Sequence, residues 1–225
     1  ANKKCPFYNN GNAEGAFDTL INELDERPLL VSKNRTLVNQ AVAYIAVSQA
    51  MYSSTMWSEL EVALKNAQDG NGAGLLSLFD SYYQRSPDGK YGNELEAFNA
   101  IICLDDPGPK TVEEIDSYIP KFLEVAPRLG ASFTGSYTCA FWPAKPDLRI
   151  KITGNGAGPI MVVGTTGDAA TPLASSRKMA STLEDGRLIV VSEDRHTGYG
   201  ANECVVSAVD KYLITTKISF AEKAC

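Results

Sequence analysis

The pattern of apolar positions changes character near residue 130. Before that point, apolar residues recur every three or four positions, which is the spacing of one face of an α-helix. Phe17, Leu20, Ile21 and Leu24 form the first such stripe. Pro120 is expected to kink or split the last predicted helix. Similar stripes predict further helices over residues 37–48, 54–67, 75–83, 95–102 and 112–123.

Beyond residue 130, two short runs are continuously apolar, at 159–164 and 188–191. Runs of this kind are typical of strands that are buried on both faces, as in a parallel sheet. Between them the sequence predicts a helix with Thr171 as its N-cap, Pro172 in its first turn and Gly186 past its end. The order β-α-β-α indicates a right-handed parallel crossover. The final helix is predicted from an apolar face formed by Val205, Ala208, Val209 and Tyr212.

These elements predict an α/β fold class in which a helical half precedes the parallel strands. Three segments are expected, namely an N-terminal segment at 1–12, a helical region at 13–128 and an α/β region at 129–225. Two parallel strands alone make a poor sheet, because a lone pair of strands is marginal in water. The sequence is therefore interpreted as the end of a doubly wound sheet whose beginning is missing.

Composition narrows the function classes. The 225 residues are 44% hydrophobic and 21% charged, which is ordinary for a globular protein, and the net charge is -6 at pH 7. A chain this acidic repels phosphate, so no nucleic-acid partner is expected. No apolar stretch approaches the ~20 residues that span a bilayer, and the N-terminus lacks the apolar run of a signal peptide.

The chain contains five cysteines and one histidine. No C-x-x-C pair is present, so a zinc site is poorly supplied, and neither a metal nor a cofactor is expected. Cys204 and Cys225 bracket the last helix, where a bridge would stabilise the terminus by ~3 kcal/mol on a chain-entropy estimate. The alternative is five buried free thiols. The odd count leaves one cysteine, expected to be Cys5, free or paired outside the chain.

Two residues that can act together in catalysis follow the predicted strands. Asp168 lies four residues after the first run, and His196 lies just after the second. Open α/β sheets place active sites at the carboxyl ends of their strands, so these side chains are expected to hydrogen-bond. The carboxylate would then fix the imidazole tautomer and stabilise the imidazolium that forms during catalysis. The alternatives are a turn residue for Asp168, beside Gly167, and a lone surface or core histidine for His196.

The nucleophile that such a pair serves is not found in this sequence. Residues 134–138 faintly match a G-x-S-x-G elbow around Ser136, but glycine does not stand at both flanks and no apolar strand precedes it. Too little chain separates Ser136 from Asp168 for the elements that normally lie between them. A cysteine nucleophile is not favoured either, because each cysteine has a plausible structural role.

Specific motifs surround these residues. They are V-V-G-T-T-G-D-A-A-T-P over 162–172 and H-T-G-Y-G over 196–200. Two more are A-I-I-C-L-D over 100–105 and C-A-F-W-P over 139–143, and the chain ends on Cys225. With these motifs the chain, from about its fifth residue onward, resembles the C-terminal part of the tripeptidyl aminopeptidase-like serine hydrolases. These are secreted bacterial exopeptidases of the α/β-hydrolase superfamily, related to the prolyl iminopeptidases.

The resemblance implies a truncated α/β-hydrolase fold with an all-helical cap at 13–128 that closes over the substrate. It implies Asp168 as the acid and His196 as the base of a Ser-His-Asp triad. The family's upstream half, with its nucleophile elbow and oxyanion loop, is missing here. The expected partners are therefore a peptide substrate and that missing N-terminal catalytic half, and the chain alone is expected to be inactive. The family's disulfide positions correspond to Cys103, Cys139, Cys204 and Cys225.

An exopeptidase of this kind needs an anionic counter-charge for the free amine of its substrate. Asp105, at the cap boundary beside Cys103, is the best candidate, and the alternative is an ordinary solvated carboxylate. Glu94 and Glu96 are weaker candidates on the same logic. Trp142 is expected either to line the substrate channel or to pack in the core.

The leading hypothesis is a secreted serine exopeptidase of which this chain carries the acid and the histidine. Other hydrolases on the same scaffold, which cleave esters, amides or epoxides, remain open. A non-catalytic module also remains open, one that binds peptides or completes a partner chain through an exposed sheet edge.

Overall fold

The computed structural model describes residues 3–105, 108–109, 111–144 and 151–225, which form two compact units. The first unit comprises the described parts of Ala1–Ala46 and Leu64–Ile150, and the second comprises Val47–Ala63 and Lys151–Cys225. This division differs from the predicted segments 1–12, 13–128 and 129–225, because Val47–Ala63 belong with the C-terminal strands. Residues 1–2 of the predicted N-terminal segment lie outside the described residues.

Helices make up the part of the chain before residue 141, and each predicted apolar stripe coincides with one of them. Their bounds are α1 (Ala13–Glu26), α2 (Gln40–Ala50), α3 (Trp57–Gln68), α4 (Ala73–Tyr82), α5 (Glu94–Asp105), α6 (Val112–Val125) and α7 (Tyr137–Ala140). Short 3-10 turns lie at Asn9–Gly11, Ser54–Met56 and Gly130–Phe133. Among the described residues, no helix is long and apolar enough to cross a membrane.

Two details of the helical half differ from the predictions. Leu37 was expected in the second helix, but it lies before α2 and is 45% exposed. The helix starts later because the side chain of Asn39 accepts a hydrogen bond from the Val42 backbone N–H at 3.0 Å and caps it. Pro120 lies inside α6 without splitting it, since the helix runs unbroken for 14 residues.

The second unit contains a parallel three-stranded sheet in the order β1-β2-β3. Its strands are β1 (Ile160–Thr165), β2 (Gly186–Val191) and β3 (Glu222–Ala224). Helix α8 (Leu173–Thr182) connects β1 to β2, and α9 (Glu203–Thr215) follows β2. The predicted α/β class and the β-α-β-α order are confirmed, and β3 is an addition that the sequence analysis missed.

The ends of α8 also correct the predictions. Pro172, not Thr171, is the N-cap residue of this helix, and it makes no side-chain capping bond. Gly186 does not lie between the helix and the next strand but is the first residue of β2. A Cβ at this position would lie 2.0 Å from the backbone oxygen of Ala180 in α8, so only glycine allows the strand to start this close to the helix.

The core of the second unit is built around its central strand. Ile189 and Val191 of β2 and Val205 of α9 are fully buried, and the partly buried Met161 and Val163 of β1 pack against them. The residues of α9 that contact this cluster, Ala208 and Val209, lie on its predicted apolar face. The core therefore fixes the directions in which β1 and β2 point, and hence the place where the loops after them meet.

Candidate active site

The loops after β1 and β2 are joined beyond the ends of the strands. The backbone N–H of Thr166 donates to the carbonyl of Val191 at 2.9 Å, and the N–H of Gly167 donates to that of Glu193 at 2.9 Å. A Cβ on Gly167 would lie 2.1 Å from Oδ1 and 2.9 Å from Cα of Asp194, so the loops approach closely only because this residue is glycine. The extended ladder holds both loops in a fixed register.

The structure brings together Asp168 and His196, the two residues predicted to form a pair. His196 Nδ1 lies 3.0 Å from Oδ1 and 3.0 Å from Oδ2 of Asp168. A carboxylate can only accept, so Nδ1 carries the proton and Nε2 carries the lone pair. The Asp168 side chain is 3% exposed and that of His196 is 28% exposed. The carboxylate is thus enclosed while the imidazole remains open to solvent.

The Asp168 carboxylate also organises the turn that follows it. Oδ1 accepts from the backbone N–H groups of Ala170 at 2.9 Å and Thr171 at 2.7 Å. Oδ2 accepts from the Thr171 hydroxyl at 2.9 Å and from the backbone N–H of Thr197 at 3.1 Å. Asp168 is therefore both the turn residue that was considered above as the alternative and the hydrogen-bond partner of His196.

These contacts favour the ionised form of the carboxylate. Burial raises the pKa of Asp168, but hydrogen bonds from the Thr171 and Thr197 backbone, from His196 and from the Thr171 hydroxyl outweigh it. The net effect lowers the pKa from 3.8 to about 2. The group is therefore negative at neutral pH, as it must be to stabilise an imidazolium beside it.

Contacts with Tyr52 hold His196 on its other side. The His196 backbone N–H donates to the Tyr52 carbonyl at 2.8 Å. The imidazole and the Tyr52 ring are perpendicular, with ring centroids 5.0 Å apart. Within the described residues, no hydrogen-bond partner contacts Nε2, so this atom is available to a reacting group.

The backbone after His196 is held in an unusual conformation. Thr197 has a φ of 66°, in the left-handed region that β-branched residues rarely adopt. Its N–H points to Asp168 in this conformation. Gly198 follows, and a Cβ there would lie 2.8 Å from side-chain carbons of Val163 and Val191, so the loop packs directly onto both strands.

The residues proposed to bind substrate lie in the first unit. Asp105 is the last residue of α5 and is exposed, and Glu94 and Glu96 are exposed in the first turn of the same helix. Trp142 is half-buried just after α7. Ser136 is the half-buried N-cap residue of α7, with no strand ahead of it of the kind that precedes a nucleophile elbow. Each of these roles remains a prediction.

The structure contains two disulfides, and they use the four cysteines that the resemblance implies. Cys103 of α5 is joined to Cys139 of α7, and Cys204 of α9 is joined to Cys225 beyond β3. Cys5 takes part in neither disulfide. Among the described residues, no group of three histidine, cysteine, aspartate or glutamate side chains is placed to hold a metal ion.

Two groups at the site escaped the sequence analysis. Thr171 was interpreted as a helix cap, and a hydroxyl three residues after an aspartate was the available signal for a bond to that carboxylate. Tyr52 lies in a helical part of the sequence far from His196, and no local pattern connects the two. Only the folded chain shows that contact.

Comparison with known proteins identifies a family and several relatives of this chain. Residues 126–225 match the family described as TAP-like protein. The chain is 36% identical over 205 residues to carboxylesterase B of Mycobacterium tuberculosis, an alignment that covers 88% of this chain and 39% of that protein. It is 30% identical over 226 residues to the serine protease Hip1 of the same species, with coverage of 95% and 43%.

A third relative, the tripeptidyl aminopeptidase of Streptomyces lividans, is 30% identical over 90 residues, covering 39% of this chain and 17% of that protein. The chain thus spans about two fifths of the length of the two mycobacterial relatives. The names of all three describe hydrolases. The family match shows that residues 126–225 belong to the TAP-like hydrolases of the α/β-hydrolase superfamily, and the two longer alignments and the parallel sheet are in line with it.

Proposed function

We propose that this chain supplies the acid and the base of a serine exopeptidase that releases short peptides from free N-termini. The observation that carries the proposal is the enclosed Asp168 carboxylate bound to Nδ1 of His196, with Nε2 left open. This is the acid–base half of a Ser-His-Asp triad, in the chain order that α/β-hydrolases use.

The chemistry follows from the protonation state of the imidazole. Nε2 of His196 accepts the proton of a serine hydroxyl as the oxygen attacks the peptide carbonyl. The imidazolium that forms is stabilised by the Asp168 carboxylate, which stays ionised because its pKa is about 2. His196 then donates the proton to the leaving amine. In the second half of the cycle Nε2 takes a proton from a water molecule, the water oxygen attacks the acyl carbon, and the proton returns to the serine oxygen as the acyl group leaves.

The attacking serine is proposed to lie outside these 225 residues. Ser136 is supported poorly, because it caps α7 in the first unit instead of following a buried strand. The relatives are more than twice as long as the matched region, which leaves ample sequence for a nucleophile and for further strands. We expect the 225-residue chain alone to be inactive.

Peptides with a free N-terminus are the proposed substrates. Two of the relatives carry names of peptidases, a serine protease and a tripeptidyl aminopeptidase. Asp105 is proposed to pair with the substrate amine, supported by its exposure at the end of α5. A secreted location is proposed because disulfides such as Cys103–Cys139 persist in oxidising environments.

The test compares activities of a longer protein that contains the sequence upstream of Ala1. Tripeptide amides with a free or acetylated N-terminus, and a short-chain ester, separate exopeptidase from esterase activity. We expect the free-amine peptide to be preferred and Asp168→Asn to lower kcat by roughly 10⁴-fold. Asp105→Asn should raise KM for the free peptide alone, with Asp88→Asn as an exposed control.

Three results would contradict the proposal. Equal turnover of free and acetylated peptides would exclude the exopeptidase, and ester turnover alone would favour the esterase that one relative's name suggests. Activity of the 225-residue chain that Ser136→Ala abolishes would place the nucleophile inside it.

A second candidate, a peptide-binding module without catalysis, is favoured by one feature of the first unit. A cleft of about 700 Å³ is lined by Tyr44, Phe79, Tyr83 and Leu123, with Arg128 at one side, and none of its lining residues belongs to the second unit. Its volume is in the range of ligand pockets. Burial raises the pKa of both Tyr44 and Tyr83, so their phenols stay protonated and can donate hydrogen bonds.

Binding of a free tripeptide to the 225-residue chain, measured by calorimetry, tests this candidate. Tyr83→Leu should weaken binding if the cleft holds the peptide, whereas Tyr118→Leu, which changes an exposed tyrosine outside the cleft, should not. Absence of binding together with activity of the longer protein would leave the exopeptidase as the sole candidate.

A further inference from the structure

Residues 52–54, between α2 and α3, run alongside residues 194–196 of the loop after β2, which is called the histidine loop below. The backbone N–H of Ser54 donates to the Asp194 carbonyl at 3.0 Å, and the His196 N–H donates to the Tyr52 carbonyl at 2.8 Å. Ser53 and Arg195, between these two bonds, form an antiparallel bridge. The backbone of residues 52–54 therefore pairs with the loop after β2, and both segments belong to the second unit.

The Tyr52 side chain adds a contact of a different kind. Its ring is perpendicular to the imidazole of His196 at a centroid distance of 5.0 Å, a favourable geometry for an aromatic pair. The bond from Nδ1 to Asp168 fixes one end of the imidazole, but it leaves the ring able to tilt about the line joining those atoms. A second ring packed at right angles removes that freedom.

We propose that Tyr52 is a positioning residue, whose ring holds the His196 imidazole in the one orientation that directs Nε2 toward the reacting hydroxyl. The inference rests on the proposed function, since it assigns a role in the same proton transfer. The role belongs to the ring of Tyr52 and not to its carbonyl, because the carbonyl fixes the backbone of His196 and would remain in any variant.

His196 is the only histidine of the chain, so its imidazole can be observed without ambiguity. The first experiment records ¹⁵N spectra of the imidazole in the 225-residue chain, which report which ring nitrogen is protonated and how well the ring is ordered. We expect the Nδ1–H tautomer in the wild type. Tyr52→Leu should broaden or average the imidazole signals, whereas Tyr52→Phe, which keeps the ring, should restore the wild-type spectrum.

The matched control is Tyr212, a tyrosine of the same unit that contacts the chain just before β1 begins, at the end of the strand away from Asp168. Tyr212 donates its hydroxyl proton to the Pro159 carbonyl at 2.8 Å, just before β1 begins, so Tyr212→Leu loses a ring without touching the imidazole. Asp168→Asn is the second reference, because it removes the partner of Nδ1 itself. The spectrum of Tyr212→Leu should be that of the wild type, and Asp168→Asn should change the tautomer population.

The second experiment measures the longer protein that contains the upstream sequence. Tyr52→Leu should lower kcat by roughly 10- to 100-fold, the scale expected when a catalytic group is misplaced. KM should stay close to that of the wild type, and Tyr52→Phe should recover most of kcat. A change in KM with kcat preserved would assign Tyr52 to substrate binding and overturn the proposal.

The remaining outcomes separate this inference from the function on which it rests. If Asp168→Asn changes the imidazole spectrum and Tyr52→Leu does not, the positioning role is wrong and the Asp–His pair stands. If neither changes it, the acid–base pair itself is wrong. Tyr52→Met provides a second loss of the ring. Should both aliphatic variants fail to fold while Tyr52→Phe folds, the ring has a structural role and the proposal fails.

Discussion

The Asp168 carboxylate accepts hydrogen bonds from several groups of the described residues that surround it. Backbone N–H groups, a hydroxyl and the Nδ1–H of His196 all point at its two oxygens. At the scale of single residues, this arrangement makes the negative charge a structural requirement as well as a chemical one. Protonating the carboxylate, or replacing it with the amide of asparagine, would place a hydrogen-bond donor next to groups that also donate.

The first prediction concerns stability in acid. The pKa of Asp168 is lowered to about 2 in the folded chain, so its contribution is present above the unfolded value of about 3.9 and is lost as pH falls toward 2. The depression corresponds to roughly 2 kcal/mol. Urea unfolding between pH 2 and 6 should show this loss in the wild type and not in Asp168→Asn, which should be less stable at pH 6. Asp69→Asn, at an exposed site, should follow the wild type.

The second prediction concerns the hydroxyl of Thr171, which donates to Asp168 Oδ2 and lies 3.3 Å from His196 Nδ1. Thr171→Val keeps the shape of the side chain and removes the donor, so we expect a loss of about 1 to 2 kcal/mol and a lower kcat in the longer protein. Thr171→Ser keeps the hydroxyl and should retain most of both. A larger effect of Thr171→Ser than of Thr171→Val would show that packing of the methyl group matters, and not the hydrogen bond.

Part of this site was predictable at the residue scale and part was not. Asp168 and His196 could be identified because chain order and position after an apolar run restrict where a triad acid and base can stand. Thr171 was missed, since a threonine before a proline also has the pattern of a helix start, although its place three residues after Asp168 was a signal for the hydrogen bond. Tyr52 meets His196 only through long-range folding.

At the scale of elements, periodicity identified helices better than their ends. The apolar stripes found α1 and α3 to α6, but Leu37 was assigned to α2 although Asn39 caps that helix two residues later. Strand β3 was missed because Glu222–Ala224 carry no apolar alternation. It pairs with β2 through backbone bonds, and the Cys225 N–H donates to the Val190 carbonyl at 2.8 Å.

The third prediction follows from the way β3 is held. The disulfide Cys204–Cys225 closes a loop of sequence separation 21 between α9 and the residue after β3. Replacing both cysteines by serine should lower the free energy of unfolding by ~3 kcal/mol, on the chain-entropy estimate for loops of this length. Amide exchange should rise most at Lys223. Replacing Cys103 and Cys139 instead should leave exchange in β3 unchanged.

At the scale of the whole molecule, sequence order and spatial grouping do not coincide. The sequence analysis placed a boundary at residue 129, but Val47–Ala63 belong to the same compact unit as the strands. Composition could not reveal this, because the segment holds the end of one predicted amphipathic helix and most of the next, with nothing that sets it apart from the rest of the helical half. What assigns it to the second unit is a pair of backbone bonds from residues 52–54 to the histidine loop.

The fourth prediction tests that grouping. A polypeptide of residues 129–225 lacks the partners of Asp194 and His196, so its histidine loop should exchange amide protons far faster than in the full chain. The amide of Ile189, at the centre of β2, serves as the internal reference for a folded sheet. Equal protection of the His196 amide in both polypeptides would show that Val47–Ala63 are dispensable for the loop.

The left-handed conformation of Thr197 has a consequence for attempts to make the protein more heat-resistant. A β-branched residue held there costs roughly 1–3 kcal/mol, of which glycine would recover a part, because glycine also adds conformational entropy to the unfolded chain. Selection for thermal tolerance alone should therefore favour Thr197→Gly. That exchange also loosens the backbone whose N–H binds the Asp168 carboxylate, so under the proposed function the more heat-resistant variant of the longer protein is expected to have the lower kcat.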